Sequence, residues 1–190
     1  MKELKRALIV FGILVVITGI IYPLTVTGIA QLTMSHRANG SLVTVNGHVV
    51  GSELIGQQWT SPKYFHGRPS ANNYDASSSG GTNLGPSNPN LEKTVAERIA
   101  KVRSENGLAA DATVPADLVT ASASGLDPDI SPESALLQVQ RVAAARGLVP
   151  SAVENLVTVN TRKPFLGIWG QSRVNVLELN MALDKLSETH

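Results

Sequence analysis

A chain of 190 residues with a formal net charge of +1 and 16% charged side chains has room for one medium domain and an appendage. That balance supplies no basic field, which argues against nucleic acid as a partner. There is no cysteine, so disulfides, thiolate zinc sites and cysteine nucleophiles are excluded, although no compartment is thereby identified.

From Ala7 to Ser35 the only ionisable side chain is Tyr22. The apolar run of about 25 residues makes about 37 Å of helix, more than the roughly 30 Å hydrocarbon core of a bilayer. A signal peptide has a shorter apolar run and a small-x-small cleavage site, and the best match here, Gly28-Ile29-Ala30, stands at the far end. A core helix is rarely apolar on every side for so long. The expectation is a transmembrane helix over residues 7–32, preceded by a cytoplasmic terminus of residues 1–6. Lys2, Lys5 and Arg6 outweigh His36 and Arg37, which places the amino end inside and residues 33–190 outside. Gly12, Gly19, Pro23, Thr27 and Ala30 fall on one stripe of a 3.6-residue helix. Small side chains there admit a neighbouring helix, Thr27 can hydrogen-bond across the contact, and Pro23 leaves the Gly19 carbonyl without its donor. The spacing equally allows simple tolerance of glycine and proline in a membrane helix.

The outer part reads as an α+β domain. "SLVTVNGHVVGS" predicts a hairpin, with Leu42–Val45 and His48–Val50 joined by a type I′ turn at Asn46-Gly47. Residues 59–89 are rich in Gly, Pro, Ser and Asn, as a flexible linker is. Trp59, Tyr64, Phe65 and Tyr74 fall in or beside this stretch, so an ordered loop pinned by those rings is preferred. A helix begins at Asn88-Pro89, with Leu91, Val95, Ile99 and Val102 on its apolar side and Glu97 pairing with Lys101, and ends at Asn106-Gly107. A short strand is expected at Leu118–Ala121. The next helix takes Ser131 as cap and Pro132 as first residue and stops at Arg146-Gly147. Ser151 and Glu154 suggest a capping box for a further short helix. In the last helix Asn175 caps, Glu178 follows, and Val176, Leu179, Leu183 and Leu186 share a side.

Asp127, Asp129 and Ser131 stand at the first, third and fifth spacing of a calcium loop. The sixth position holds Pro132 where a glycine is needed, and the twelfth holds Gln138 where a glutamate is needed. A capped turn at a helix amino end is the better reading. Ala121-Ser122-Ala123-Ser124-Gly125 lacks the leading glycine of a nucleophile elbow. The four histidines, His36, His48, His66 and His190, have no zinc spacing. "SSGGTNLG" lacks the lysine of a phosphate loop. No local motif supplies a catalytic, cofactor-binding or metal site.

Several long segments in order nevertheless make the chain resemble one family. They are "TGIIYPL", "ANGSLV", "GSELIGQ", "YFHGRPSA", "SSGGTNLGPSNP", "LVTASASGLDPDISPESA", "RVAAARGL" and "VNVLELNMALD". The family is the C subunit of the Kdp potassium-transporting ATPase; the matches thin out over residues 104–115 and 160–168. The resemblance implies a single-pass subunit of the inner membrane without a catalytic site or cofactor of its own. It implies as partners a potassium-channel-like subunit, a P-type ATPase subunit that hydrolyses ATP, and a small membrane peptide. It further implies a role in assembly and as a catalytic chaperone that raises the ATPase subunit's affinity for ATP. ATP is cytoplasmic and the charge bias puts the domain outside, so that effect is expected to travel through the membrane helices rather than by direct contact. Two alternatives remain. One is a domain over the potassium entrance that gathers or filters cations with Asp75, Glu92, Asp127, Asp129 and Glu133. The other is an anchored enzyme using Ser122 or Ser124.

Overall fold

The computed structural model describes residues 1–188, and His190 lies outside the described residues. The chain divides into two units, Met1–Leu42 and a second that begins at Val43.

The first unit is helical over Lys2–Ala38, with one break. Helix α1 (Lys2–Val16) passes through a π turn (Ile17–Ile21) into α2 (Tyr22–Ala38). Pro23 has no N–H to donate to the carbonyl four residues back. The Tyr22 N–H instead bonds to the Ile17 carbonyl, five residues back, in the wide turn that commonly accommodates such a defect. The backbone keeps helical angles at Ile17 (φ −64°, ψ −52°) and at Tyr22 (φ −61°, ψ −52°), so the helix carries on past the proline. It breaks at Met34 (φ −148°, ψ 46°). Beyond that, the N–H groups of Gly40 and Ser41 close on the Arg37 and His36 carbonyls, a Schellman ending. The span of 37 residues is long and apolar enough to cross a membrane, and none of its apolar stretch is buried.

In the second unit, β1 (Leu42–Val45) and β2 (His48–Ser52) form the expected hairpin. Asn46 and Gly47 take positive φ, 50° and 79°, as a type I′ turn requires. The helices α3 (Pro89–Glu105), α4 (Pro132–Arg146), α5 (Pro150–Val159) and α6 (Val176–Glu188) are joined by a small antiparallel sheet. Its strands β3 (Asp129–Ile130), β4 (Thr161–Arg162) and β5 (Arg173–Asn175) lie in the order β3-β5-β4, with Val174 opposite both Ile130 and Thr161. The core is built from Phe65, Ile130, Val174 and Val176 with one side each of α4 (Ala135, Val139, Val142, Ala143), α5 (Val153, Val157) and α6 (Leu179, Leu183). In the helices these residues recur at three- and four-residue spacing, which puts them on one face.

The caps follow the sequence. Asn88 accepts from the Asn90 N–H, Ser131 from Ser134 and Asn175 from Glu178. Gly147 ends α4 in the left-handed conformation. Three expectations need correction. Residues 118–121 form no strand: a 3-10 turn at Ala116–Leu118 is followed by the Thr120 N–H and hydroxyl both bonding to the Ala116 carbonyl. Ser151 is not a cap, because α5 begins one residue earlier at Pro150, whose missing N–H suits a first turn, and Val149 provides no side-chain bond. Glu97 pairs with Lys93 rather than Lys101, and Lys101 turns to Glu105. Both observed pairs put the acid on the carboxyl side at four-residue spacing.

The irregular stretch after Trp59 is ordered, and its buried start is bonded by side chains. Phe65 is fully buried. Its N–H donates to Asn180 Oδ1 at 2.8 Å, and its carbonyl accepts from Asn180 Nδ2 at 3.0 Å. The next residue repeats the pattern: the His66 N–H donates to Gln138 Oε1 and its carbonyl accepts from Gln138 Nε2. Each carboxamide offers one acceptor and a donor, as a neighbouring strand's peptide does. Arg141 takes the Pro62 and Tyr64 carbonyls, and Arg146 takes that of Lys63 while lying 4.7 Å from the Tyr64 ring centre. Replacing Asn180 by Ala leaves a buried N–H and carbonyl unpaired, with an expected loss of about 3 kcal/mol at about 1–3 kcal/mol per orphaned group. Urea unfolding of the full chain in detergent measures it, and Leu179→Met, a volume-conserving change beside it, is expected to lose under about 1.5 kcal/mol.

Candidate functional site

On the membrane-length helix the structure presents Gly12, Gly19, Pro23 and Thr27 exposed and Ala30 partly covered. A Cβ added at Gly12 or Gly19 meets nothing within 4 Å. The threonines differ in a useful way. Thr18, Thr25 and Thr33 each fold their hydroxyl back onto the carbonyl four residues earlier, at 2.7–2.8 Å. Such back-bonding satisfies a hydroxyl in apolar surroundings. Thr27 makes no such bond among the described residues, and it is the threonine of the stripe.

The carboxylates of the second unit do not form one cluster. Asp127 and Asp129 line the same hollow, together with Asp117, but each faces an arginine: Asp127 meets Arg68 and Asp129 meets Arg173, both at 3.0 Å. Burial, and then Asp127, push the Asp129 carboxyl above its ordinary value against the pull of Arg173. One carboxylate oxygen of Asp129 and the Arg68 Nε are buried without a partner among the described residues. Asp75 accepts from the N–H and hydroxyl of Ser77 in a local turn. Glu92 and Glu133 sit in the first turns of α3 and α4, where the helix dipole favours them. Asp117, which no local signal marks, accepts from the Ser131 N–H at 2.7 Å and the Ser134 hydroxyl at 2.6 Å, so it braces the start of α4 from 14 residues away.

The remaining candidates make structural contacts. Asp127 Oδ1 accepts the Asp129 N–H at 3.0 Å, and Ser131 caps α4, so the aspartate-rich stretch is a capped turn. Ser122 is buried, and its N–H donates to the Pro69 carbonyl. The Ser124 hydroxyl accepts from the Leu126 N–H, and its carbonyl holds the Gly80 N–H and the Ser79 hydroxyl. Thus "SSGG" and "ASASG" lie against each other. Gly125 sits at their closest approach with φ +71°, and a Cβ there would stand 2.3 Å from Asn72 Oδ1 and 2.8 Å from the Gly80 carbonyl.

A cleft of about 260 Å³ opens between the clamped loop and α3, lined among others by Trp59, His66, Tyr74, Arg98, Lys101 and Glu105. His66 Nδ1 stands 3.6 Å from Glu105, and its Nε2 lies 3.1 Å from the Ser61 carbonyl. The acid neighbour favours a charged ring, yet the imidazole is held below its ordinary value, because burial first and Arg141 second outweigh Ser61 and Glu105. Burial likewise pushes the Tyr74 phenol up, and its hydroxyl donates to the Arg68 carbonyl.

Comparison with known proteins extends over nearly the whole chain. The family described as "KdpC: K+-transporting ATPase, c chain" matches residues 4–185. The chain is 54% identical to the potassium-transporting ATPase KdpC subunit of Gemmatimonas aurantiaca, covering 100% of this chain and 96% of that protein. Identity is 50% with the KdpC subunit of Rhodopseudomonas palustris strain BisB5, at 97% of each. It is 51% with that of Mycobacterium tuberculosis, at 97% of this chain and 99% of the relative.

The lowered His66 value fixes the sign of a pH effect. The unfolded chain takes a proton on this residue near its ordinary 6.5, and the folded chain only at lower pH. Its stabilisation is therefore complete above 6.5 and is lost as the pH falls through the folded value. Asp129, raised above 3.8, acts in the opposite sense: its share is present below 3.8 and lost as the pH rises through its folded value. Replacing His66 by Gln is expected to flatten the fall of Tm as the pH drops below about 6.5, measured by thermal unfolding at successive pH values.

Proposed function

Because this chain belongs to the KdpC family, the c chain of K+-transporting ATPases, we propose that it is a non-catalytic accessory subunit of a potassium-uptake complex. In this reading it is needed for assembly and raises the affinity of a P-type ATPase subunit for ATP. A channel-like subunit that moves potassium and a small membrane peptide complete the complex. The observation that carries the reading is the first unit: 37 helical residues with no buried residue in their apolar stretch and an uncovered stripe of small residues. Without neighbours such a stripe forgoes the close packing that holds membrane helices together. The amino end is taken to be cytoplasmic and the domain external, on the evidence of Lys2, Lys5 and Arg6. ATP affinity is then altered through the membrane helices, by contacts that differ between two states of the ATPase subunit. A cation-gathering domain gains little support from the geometry, since Asp127 and Asp129 are each met by an arginine.

Two measurements test this. Gly19→Leu and Gly28→Leu make the same change on opposite sides of the helix, and at neither position does a Cβ meet the chain itself. Gly19→Leu is expected to lower recovery of intact complex by about tenfold, the factor for about 1.4 kcal/mol of lost packing, while Gly28→Leu leaves it near normal. Equal recovery of the two variants counts against the stripe. For the nucleotide, a photoreactive ATP analogue is expected to label the ATPase subunit and spare this chain. Labelling of the outer domain replaces the indirect route with direct contact.

A further inference from the structure

Between β4 and β5 the chain projects a small hairpin that takes no part in the core. The Phe165 N–H donates to the Trp169 carbonyl at 2.8 Å and the Trp169 N–H to the Phe165 carbonyl at 3.0 Å, with Leu166–Ile168 as the turn. Leu166 is held at φ +52°, a conformation that leucine avoids. Phe165, Leu166, Ile168 and Trp169 are 71%, 70%, 76% and 61% exposed. Single exposed apolar residues are ordinary, but four contiguous large ones at a strained tip mark an interaction surface.

The surroundings of the tip indicate what it meets. Residues 160–173 contain Arg162, Lys163 and Arg173 and no acidic residue. Arg162 is paired with Glu178 and Arg173 with Asp129; Lys163 is exposed and has no acidic partner among the described residues. Aromatic and aliphatic side chains beside an uncompensated lysine form the pattern that partitions into a membrane interface, with rings at headgroup depth and the cation on the phosphates. The covalent tether acts in the same direction. Four residues, 39–42, separate the end of α2 at Ala38 from the second unit at Val43. Fully extended they reach about 14 Å. The domain therefore experiences a high effective concentration of bilayer surface.

We propose that the Phe165–Trp169 hairpin docks into the interface of a bilayer containing anionic lipid, with Lys163 against lipid phosphate. This rests on the reading of the first unit as a membrane span, which the experiment checks separately. The full chain carrying Trp59→Phe, so that Trp169 is the only tryptophan, is reconstituted into vesicles of phosphatidylcholine with or without phosphatidylglycerol. Lipids brominated along the acyl chain serve as quenchers. Resistance to alkaline extraction reports the span, whatever the hairpin does. The expected result is quenching of Trp169, stronger with phosphatidylglycerol and abolished by Phe165→Ser with Ile168→Ser. Lys163→Ala is expected to lower the ratio of docked to undocked hairpin about fivefold on anionic vesicles only. Unquenched Trp169 in an extraction-resistant chain overturns the proposal, as does quenching indifferent to the serine pair. Trp169 shielded from lipid in the assembled complex and cross-linked to another subunit also overturns it, in favour of a protein partner.

Discussion

Phe65 is fully buried on a stretch that belongs to neither helix nor sheet, and a buried peptide group without a partner is among the most destabilising features a fold can carry. Two carboxamides resolve this. Asn180 on α6 and Gln138 on α4 each close a two-bond ring on consecutive peptides at Phe65 and His66. Neither amide has slack: both are buried, and Gln138 also reaches the Ser134 carbonyl and receives Arg141. Partly satisfied, such a network would be worse than an apolar core; fully satisfied, it fixes one arrangement.

Much of the second unit's form follows from that clamp. With Phe65 held in place, Tyr64 packs on Trp59 at 4.7 Å between ring centres and beneath Arg146. Arg146 continues to Asp184 at 2.7 Å, tying α4 to α6. The loop then forms one wall of the cleft whose other wall is α3. That helix has no buried residue and is held by polar contacts at its edges, Arg98 to the Val119 carbonyl and Arg103 to that of Ala112. Its apolar stripe is only half covered, so α3 lies at the less stable end of the domain's elements.

What the sequence made legible divides along the same line. Local chemistry was readable: the caps at Asn88, Ser131 and Asn175, the Asn46-Gly47 turn, and the long apolar helix. Chemistry spread along the chain was not. The strands β3, β4 and β5 have two or three residues each, too few for alternation to show. The amide clamp joins positions 115 and 72 residues apart, and Asn180 reads locally as one more helix residue. The acidic stretch gave its capped turn correctly, but Arg68 and Asp117, which decide the charge around it, lie 59 residues from Asp127 and 14 from Ser131. Trp169 and Phe165 lie just beyond and within the stretch where family motifs thin out, and no periodicity distinguishes an exposed apolar turn from a buried one.

The proposed role requires a subunit outside the membrane to favour one state of a nucleotide site on the other side. Binding alone does not do this, because a ligand with equal affinity for two states shifts neither. In that role the helix through Pro23 is one point of attachment and the folded domain a second, joined by four residues. Two attachments on so short a tether are both satisfied only in partner states that hold their docking surfaces within its reach. A state that pulls them apart loses one attachment, and the difference between the two states is the coupling free energy. The short tether carries this without any internal switch. A longer, more flexible linker between the two units would accommodate both states and weaken the preference.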